Sequence, residues 1–292
     1  MIYQNLIYRN FFFKKKISKN LYKKNLNKFH HVEKQINLEI NNKKKMLFIL
    51  NQSYKFNFNF KDLKNFANFN IIALIGMGGS ILGTKAIHNF FKKKIKKKVY
   101  FFDNLDFEKI SKFKKKENNN KVLFLIISKS GNTIETLSNL LILEIIKKKS
   151  KNIIIISEKK DSFLKYLANK FNLYYVEHNE HVGGRYSVLS EVGILPSYLM
   201  GVDIFKLRTQ IKDFLKGKHK LFLKESSINL ANIMNNKKTM NLVFLNYAPE
   251  LENFLFWCQQ LIAESLGKKG KGFFPVVSTV PKDHHSLLQL YL

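Results

Sequence analysis

The sequence has 292 residues, of which 45% are hydrophobic and 14% aromatic, and this composition excludes an intrinsically disordered chain. The formal net charge of +30 is typical of a nucleic-acid-binding protein, but only three of the 51 basic residues are arginine. Arginine grips phosphates and bases bidentately, and lysine does not. The charge therefore favours solvated lysines on helix faces over a nucleic-acid partner.

The cysteine content and the apolar runs indicate the cellular compartment and whether a membrane is involved. The one cysteine, Cys258, cannot form an intramolecular disulfide, which favours a reducing, cytoplasmic setting. The longest apolar runs, such as 122–127, are too short to cross a bilayer, so we expect no membrane partner. The first sixteen residues lack the features of a secretory signal, and they support an amphipathic targeting segment only weakly.

Residues 1–68 are rich in Lys, Asn and Phe with intermittent helical periodicity, and we predict a basic, mainly helical region there. From residue 71 onward, short apolar runs alternate with helical stretches. The predicted strands are 71–75, 99–102, 122–127, 153–156 and 173–176, and the helices between them end near 91, 115, 146 and 171. This alternation predicts right-handed crossovers and a parallel sheet with helices on both faces.

A helical pattern continues after Pro196 to about residue 234, and a second strand–helix–strand unit follows at 242–245, 251–266 and 273–277. The predicted fold class is therefore α/β, with two doubly wound parallel-sheet domains of the flavodoxin-like three-layer type. We place them at 69–195 and 196–292. The second is too short to complete its own sheet, and the sequence stops within an apolar stretch, so we expect a truncated domain.

A glycine turn at residues 76–80 follows the first predicted strand, where parallel sheets bind ligands. The free amides of this turn, around Gly79, and the Ser80 hydroxyl suit an anion. A dinucleotide site is an alternative that Asp103 supports, but Ile81 stands where that fingerprint has glycine. A plain tight turn is the third interpretation.

A hydroxyl loop at residues 128–133 follows the third predicted strand and consists of Ser128, Lys129, Ser130, Gly131, Asn132 and Thr133. Three hydroxyls lie where helix amides are unpaired and the helix dipole is positive, which suits a phosphate monoester. The alternative is ordinary capping, because Asn132 and Glu135 have the spacing of a capping box. Capping does not account for the density of hydroxyls, so we favour a phosphate site.

Three later segments carry further candidate side chains. Arg185 follows two glycines and is suited to stabilise an oxyanion, although a structural ion pair is the alternative. Gln260 and Glu264 share one helix face, where Glu264 is either a general base or a partner of Lys268. His285 offers an imidazole for acid–base work, or is a surface histidine, and the Cys and His spacings predict no zinc site.

In this order the segments GMGGSILG, SKSGNTIETL, GGRYSVLSEVGILP, QQLIAESLGK and KDHHSLLQLY resemble the glucose-6-phosphate isomerase family of the bacterial kind. The resemblance covers about residues 70–292. It implies two sugar-isomerase (SIS) domains and the interconversion of glucose 6-phosphate and fructose 6-phosphate, through a cis-enediol(ate), in glycolysis and gluconeogenesis. It implies no metal and no organic cofactor.

The resemblance also implies roles for the candidate residues. Glu264 would move a proton between C2 and C1, Arg185 would stabilise the charge that develops, and Gln260 would position the substrate. His285 would assist ring opening from the partner subunit, which implies a homodimer. The expected binding residues for the small-molecule sugar phosphate are Gly79, Ser80, Ser128, Lys129, Ser130 and Thr133.

The sequence departs from the family pattern at His284, where glutamine is common, at Pro281, and in lacking the family's C-terminal helix with its ring-opening lysine. If the chain ends at Leu292, we expect a severe loss of activity and poor folding. Two alternative functions remain open. One is an isomerase that also accepts mannose 6-phosphate, and the other is a non-catalytic sugar-phosphate-binding regulator whose basic N-terminal region contacts DNA.

Overall fold

The structure, a computed structural model, describes residues 18–147, 150–209, 217–235 and 241–292 together with positions 9 and 211. The suggested targeting segment lies outside these residues. Two parallel sheets with helices around them confirm the predicted α/β class. Within the described ranges, no helix is both long enough and apolar enough to cross a membrane.

The N-terminal region is mainly helical from residue 18. Helix α1 (Lys19–Ile40) begins at Ser18, whose Oγ accepts a hydrogen bond from the Leu21 amide at 3.3 Å. A 3₁₀ turn (Met46–Leu50) and the short helix α2 (Lys64–Ala67) follow. Residues of α2 and the segment before it pack on the first sheet, so this region is part of the core.

The first sheet has five parallel strands in the order β2-β1-β3-β4-β5. They are β1 (Ile71–Ile75), β2 (Lys98–Phe102), β3 (Val122–Ile127), β4 (Ile153–Ser157) and β5 (Tyr174–Glu177). This is the strand order of flavodoxin-like folds, in which the order reverses between β1 and β3. Because β1 and β3 are neighbours with Ile75 opposite Ile126, the glycine turn and the hydroxyl loop emerge side by side.

Four helices connect these strands: α3 (Leu82–Phe91), α4 (Phe107–Lys116), α5 (Ile134–Ile142) and α6 (Phe163–Phe171). Alternate strand residues face opposite layers, as a two-faced parallel sheet requires. Phe124 and Ile126 pack with residues of α4, α5 and α6, while Leu123 and Leu125 pack with the helix that follows β5.

Helix α5 differs from its prediction at both ends. It stops at Ile142 rather than near 146, and Glu144 just beyond it has a left-handed backbone with φ of 52°. At its start Thr133 is the N-cap, and Asn132 does not form the alternative capping box. The Asn132 Oδ1 instead accepts a hydrogen bond from the amide of Phe163, the first residue of α6, at 2.7 Å.

Helix α7 (Glu191–Leu199) crosses the predicted domain boundary at 195/196 and contains Pro196. The second unit then comprises α8 (Ile204–Thr209), α9 (Gly217–Asn235), β6 (Asn241–Asn246), α10 (Glu252–Leu266), β7 (Phe274–Thr279) and α11 (Leu288–Tyr291). In the described part of this unit, β6 and β7 form a two-stranded parallel sheet. Helix α10 connects them and packs on α3, which brings it to the carboxyl edge of the first sheet.

Candidate active site

The glycine turn lies directly against the segment that carries Arg185. We call this segment, the 3₁₀ turn Gly184–Leu189, the arginine turn. A Cβ atom at Gly79 would lie 2.3 Å from the Gly184 carbonyl carbon, so only glycine permits this approach. The Ser187 hydroxyl bridges the two turns, at 3.1 Å from the Gly79 carbonyl oxygen and 2.7 Å from that of Gly184.

The hydroxyl loop gathers its three hydroxyls at the N-terminus of α5. The Ser128 Oγ lies 2.8 Å from Thr133 Oγ1, and Ser130 Oγ lies 3.4 Å from both. Amide N–H groups of Gly131 and Asn132 donate to Ser128 and Ser130 and fix the loop. The first amides of α5 face this cluster without carbonyl partners in the helix, which is the geometry of an anion site.

Replacing Ser130 by alanine should weaken the binding of inorganic phosphate by roughly tenfold or more, because a hydrogen bond to a charged group is lost. Isothermal titration calorimetry would measure this change. Ser138→Ala, a change on the same helix outside the loop, is the matched control and should leave the affinity unchanged. Equal affinities in both variants would argue against a phosphate site here.

The dinucleotide alternative has no support in the structure. The Asp103 carboxylate at the end of β2 accepts a hydrogen bond from Lys85 Nζ at 2.5 Å and lies 3.7 Å from Lys109 Nζ. The Asp103 carboxylate, which would accept a hydrogen bond from the ribose of a dinucleotide, is therefore already engaged by Lys85 and Lys109.

Lys129 uses its side chain for contacts within the protein. Its ammonium group donates to the Val182 and Glu180 carbonyl oxygens at 3.0 and 3.3 Å and lies 3.3 Å from the Glu158 carboxylate. The side chain thus connects the hydroxyl loop to the chain just before the arginine turn. A direct contact of Lys129 with substrate stays a prediction.

Arg185, Glu264 and Gln260 meet between the two units. Arg185 Nη1 donates to Glu264 Oε2 at 3.2 Å, and Gln260 Nε2 donates to Glu264 Oε1 at 2.7 Å. The Glu264 side chain is 47% exposed, so the held carboxylate remains open to a ligand. The partners of Glu264 are therefore Arg185 and Gln260, rather than Lys268 as the alternative helix pair required.

Three supporting side chains were missed by the sequence reasoning. Ser265 Oγ accepts from Arg185 Nε at 3.0 Å and lies 2.7 Å from the Tyr186 hydroxyl. The Trp257 indole N–H donates to the Arg185 carbonyl oxygen at 2.9 Å. Helical periodicity contained a signal for one of them, since Trp257 lies seven residues before Glu264 and shares a face of α10 with it.

The electrostatics keep a fixed positive charge beside Glu264. Burial works against the charge of Arg185, yet contacts with Tyr186 and Glu264 outweigh burial and raise the pKa of the guanidinium. Burial likewise favours neutral Tyr186, but its hydrogen bond with Ser265 and the charge of Arg185 lower the pKa of the phenol. The guanidinium therefore stays charged at any pH at which the protein is folded.

Gln260 presents an unused acceptor at the same place. Its Oε1 is buried and has no hydrogen-bond partner among the described residues, while its Nε2 holds Glu264 and lies near Gly78 in the glycine turn. A buried acceptor without a donor is costly unless a ligand supplies one. A contact of Gln260 with substrate stays a prediction.

His285 lies apart from this cluster. It ends a 3₁₀ turn (Lys282–His285) and is exposed, and no hydrogen bond or ion pair of the described residues joins it to Arg185 or Glu264. The neighbouring His284 contacts the Tyr247 hydroxyl through its Nε2 at 3.1 Å. The predicted action of His285 across a subunit interface stays a prediction.

The 2-1-3-4-5 sheet, with its hydroxyl-rich loop at the switch in strand order, defines an α/β protein of the SIS-domain class. A family model described as phosphoglucose isomerase matches residues 60–272. The chain belongs to the phosphoglucose isomerase family.

Curated relatives and solved structures agree with this assignment. Glucose-6-phosphate isomerase of Methanocaldococcus jannaschii is 38% identical over 242 residues, which cover 80% of this chain and 59% of the relative. The probable glucose-6-phosphate isomerase of Methanococcus maripaludis is 37% identical over 77% of this chain and 54% of its own length. The chain therefore spans little more than half of these relatives.

Two crystal structures share the fold. A hypothetical protein from Thermus thermophilus has a TM-score of 0.73 at 23% identity, covering 93% of this chain and 69% of its own. A glucose-6-phosphate isomerase from Chlamydia trachomatis has a TM-score of 0.61 at 19% identity, covering 77% of this chain and 48% of its own. At these identities the likeness concerns the fold alone.

Proposed function

We propose that this protein interconverts glucose 6-phosphate and fructose 6-phosphate, as a cytoplasmic homodimer. The observation that carries the proposal is the Glu264 carboxylate, held by Gln260 and by the fixed charge of Arg185. Gln260 lies near the glycine turn, and the hydroxyl loop follows the neighbouring strand. A general base, an oxyanion stabiliser and a phosphate site are the three elements that proton transfer along a phosphorylated sugar requires.

The hydroxyl loop would hold the substrate phosphate through Ser128, Ser130, Thr133 and the first amides of α5, with Ser80 on the adjacent turn. This contact fixes one end of the sugar and leaves C1 and C2 to lie beside α10. Because the phosphate is remote from the reacting carbons, its binding serves orientation rather than chemistry.

The chemistry follows from the open-chain aldose. Glu264 removes the proton from C2, the electron pair forms the C1–C2 double bond, and the C1 oxygen becomes an enediolate oxygen that Arg185 stabilises. The proton on the C2 hydroxyl then passes to the C1 oxygen, and Glu264 returns a proton to C1, which gives the ketose. The proton held by Glu264 exchanges with solvent in between, and the net reaction only relocates hydrogen, so its balance requires no metal and no redox cofactor.

Ring opening precedes this step, and we propose that His285 of a partner subunit moves the proton on the ring oxygen. The exposure of His285, and its lack of contacts with Arg185 and Glu264 among the described residues, support a role across an interface. Sedimentation of a mixture of the Glu264→Gln and His285→Ala chains, followed by assay for restored activity, would test this arrangement.

The function is tested by incubating the protein with glucose 6-phosphate in deuterated water. We expect fructose 6-phosphate to form and deuterium to enter C1 of the ketose, and nuclear magnetic resonance would follow both. Mannose 6-phosphate is the comparison substrate, and equal rates would indicate the broader isomerase. Tight phosphate binding without turnover or exchange would contradict the proposal and favour a sugar-phosphate-binding regulator.

A further inference from the structure

A second arginine marks a buried cluster outside the active site. Of the three arginines in the chain, Arg185 lies in the candidate site and Arg9 is exposed, whereas Arg208 on α8 is partly buried outside that site. Burial lowers the pKa of the Arg208 guanidinium, so its position is costly without partners. Because nearly all other basic residues of the chain are lysine, an arginine at position 208 indicates a site that needs the planar guanidinium.

The partners of Arg208 are carbonyl groups from two separate segments. Its Nη1 donates to Leu189, the last residue of the arginine turn. Its Nη2 donates to the Ile49 and Asn51 carbonyl oxygens at 2.9 and 3.3 Å. The fork of the guanidinium therefore joins the end of the arginine turn to the N-terminal segment 46–57.

The buried carboxylate of Glu191, two residues after Leu189, also binds the N-terminal segment 46–57. Glu191, the first residue of α7, accepts from the Tyr54 hydroxyl at 2.8 Å and from the Asn57 amide at 3.1 Å. Burial raises the pKa of Glu191, while the charge of Arg208 acts against that rise. The Arg208 guanidinium carbon also lies 5.5 Å from the centre of the Tyr54 ring. We call Tyr54, Glu191 and Arg208 the buried clamp.

The start of the arginine turn is held by the same N-terminal segment. Val182 precedes the two glycines of the arginine motif, and it is buried in a cluster with Phe48, Ile49 and Tyr54. Both ends of the arginine turn thus rest on residues 46–57. This segment precedes residue 60, where the family match begins, and the sequence shows no motif in it.

We propose that the buried clamp is a positioning device for Arg185. It fixes the carbonyl of Leu189 and the start of α7 against the segment 46–57, so that the arginine turn presents the guanidinium to Glu264 in one geometry. The inference rests on the proposed function for the role of Arg185. Lysine at 208 would supply charge but only one point of attachment, and the turn would lose its second anchor.

Arg208→Lys tests the clamp, with Arg9→Lys as the matched control. Trp257 is the only tryptophan and donates to the Arg185 carbonyl oxygen, so its fluorescence reports the arginine turn directly. Two ligands separate the subsites: inorganic phosphate probes the hydroxyl loop, and 6-phosphogluconate places a carboxylate at C1, near Arg185.

In Arg208→Lys we expect altered Trp257 emission, an unchanged affinity for phosphate, and an affinity for 6-phosphogluconate that falls by roughly tenfold or more. Isomerisation should slow by roughly 10- to 100-fold, because small displacements of a catalytic group have effects of this size. Wild-type emission and wild-type 6-phosphogluconate affinity would overturn the proposal. Equal losses for both ligands would overturn it too, since they indicate general loss of structure.

A second variant decides the matter if Arg208→Lys does not fold. Tyr54→Phe keeps the ring and removes only the hydroxyl that Glu191 accepts from, and Tyr166→Phe on an exposed ring is its control. We expect the same changes on a smaller scale, and unchanged emission and binding would overturn the proposal. A wild-type protein without isomerase activity would contradict the proposed function. The Trp257 emission and the 6-phosphogluconate affinity of the variants would still show whether the buried clamp positions Arg185.

Discussion

Replacing Glu264 by glutamine is expected to slow isomerisation and C2 proton exchange by roughly 10²- to 10⁴-fold, the usual contribution of a positioned general base. Glutamine keeps the size of the side chain, and its one oxygen can still accept from Arg185. Its amide N–H₂ can donate to Gln260 when the Gln260 amide turns its oxygen toward it, so the site should keep its shape. Exchange of the C2 deuteron of labelled glucose 6-phosphate, followed by nuclear magnetic resonance, measures the proton transfer itself.

The control for this variant is Glu250→Gln, because Glu250 is an exposed glutamate just before the same helix. It changes the net charge equally and should leave the exchange rate unaltered. The affinity for inorganic phosphate should be the same in both variants, since the hydroxyl loop lies on the other unit. A Glu264→Gln chain that exchanged the C2 proton at the wild-type rate would remove Glu264 from the mechanism.

The Gly79→Ala variant should lose both stability and activity. The new Cβ would lie 2.3 Å from the Gly184 carbonyl carbon, 2.4 Å from its oxygen and 2.6 Å from the Arg185 amide nitrogen. All three are backbone atoms, which no rotamer change can move aside. We expect the free energy of unfolding to fall by about 1–3 kcal/mol and turnover to fall by roughly 100-fold, as the arginine turn is displaced from Glu264.

Urea unfolding followed by circular dichroism measures the stability, and Gly184→Ala provides the matched control. A Cβ at Gly184 has no neighbour within 4 Å, so its free energy of unfolding should change by no more than about 0.5 kcal/mol. Phosphate affinity should fall much less than turnover in Gly79→Ala, because most of the expected phosphate ligands lie in the hydroxyl loop. Similar unfolding curves for the two variants would show that the turns are not packed as described.

Much of the first sheet was predictable because its strands are apolar runs bounded by polar turns. The run at 122–127 is buried at every position and could only be a central strand, and its neighbours followed from the alternation with helices. Once the strand order is given, the hydroxyl loop and the glycine turn must be adjacent. This part of the site therefore follows from local sequence and topology together.

The remaining features depend on contacts between distant segments. The local spacing of Asn132 and Glu135 left a capping box open as an alternative, yet Asn132 accepts from the first amide of α6 instead. The meeting of Arg185 with Glu264 requires α10 to pack on α3, which no periodicity in either segment specifies. The sequence shows that arginine is rare in this chain, but it does not show what Arg208 contacts. Those contacts form only because α8, the arginine turn and the segment 46–57 lie side by side.

The packing of α10 against α3 divides the work of the site between two parts of the chain. Under the proposed function, the loops of the first sheet hold the phosphate, and α10 of the second unit supplies the base and its amide partner. Phosphate recognition would then belong to one half of the site and reactivity to the junction. A mutation at that junction, such as at Asn89, which donates to the Pro249 carbonyl oxygen at 3.0 Å, is therefore expected to leave a protein that binds the sugar phosphate without converting it.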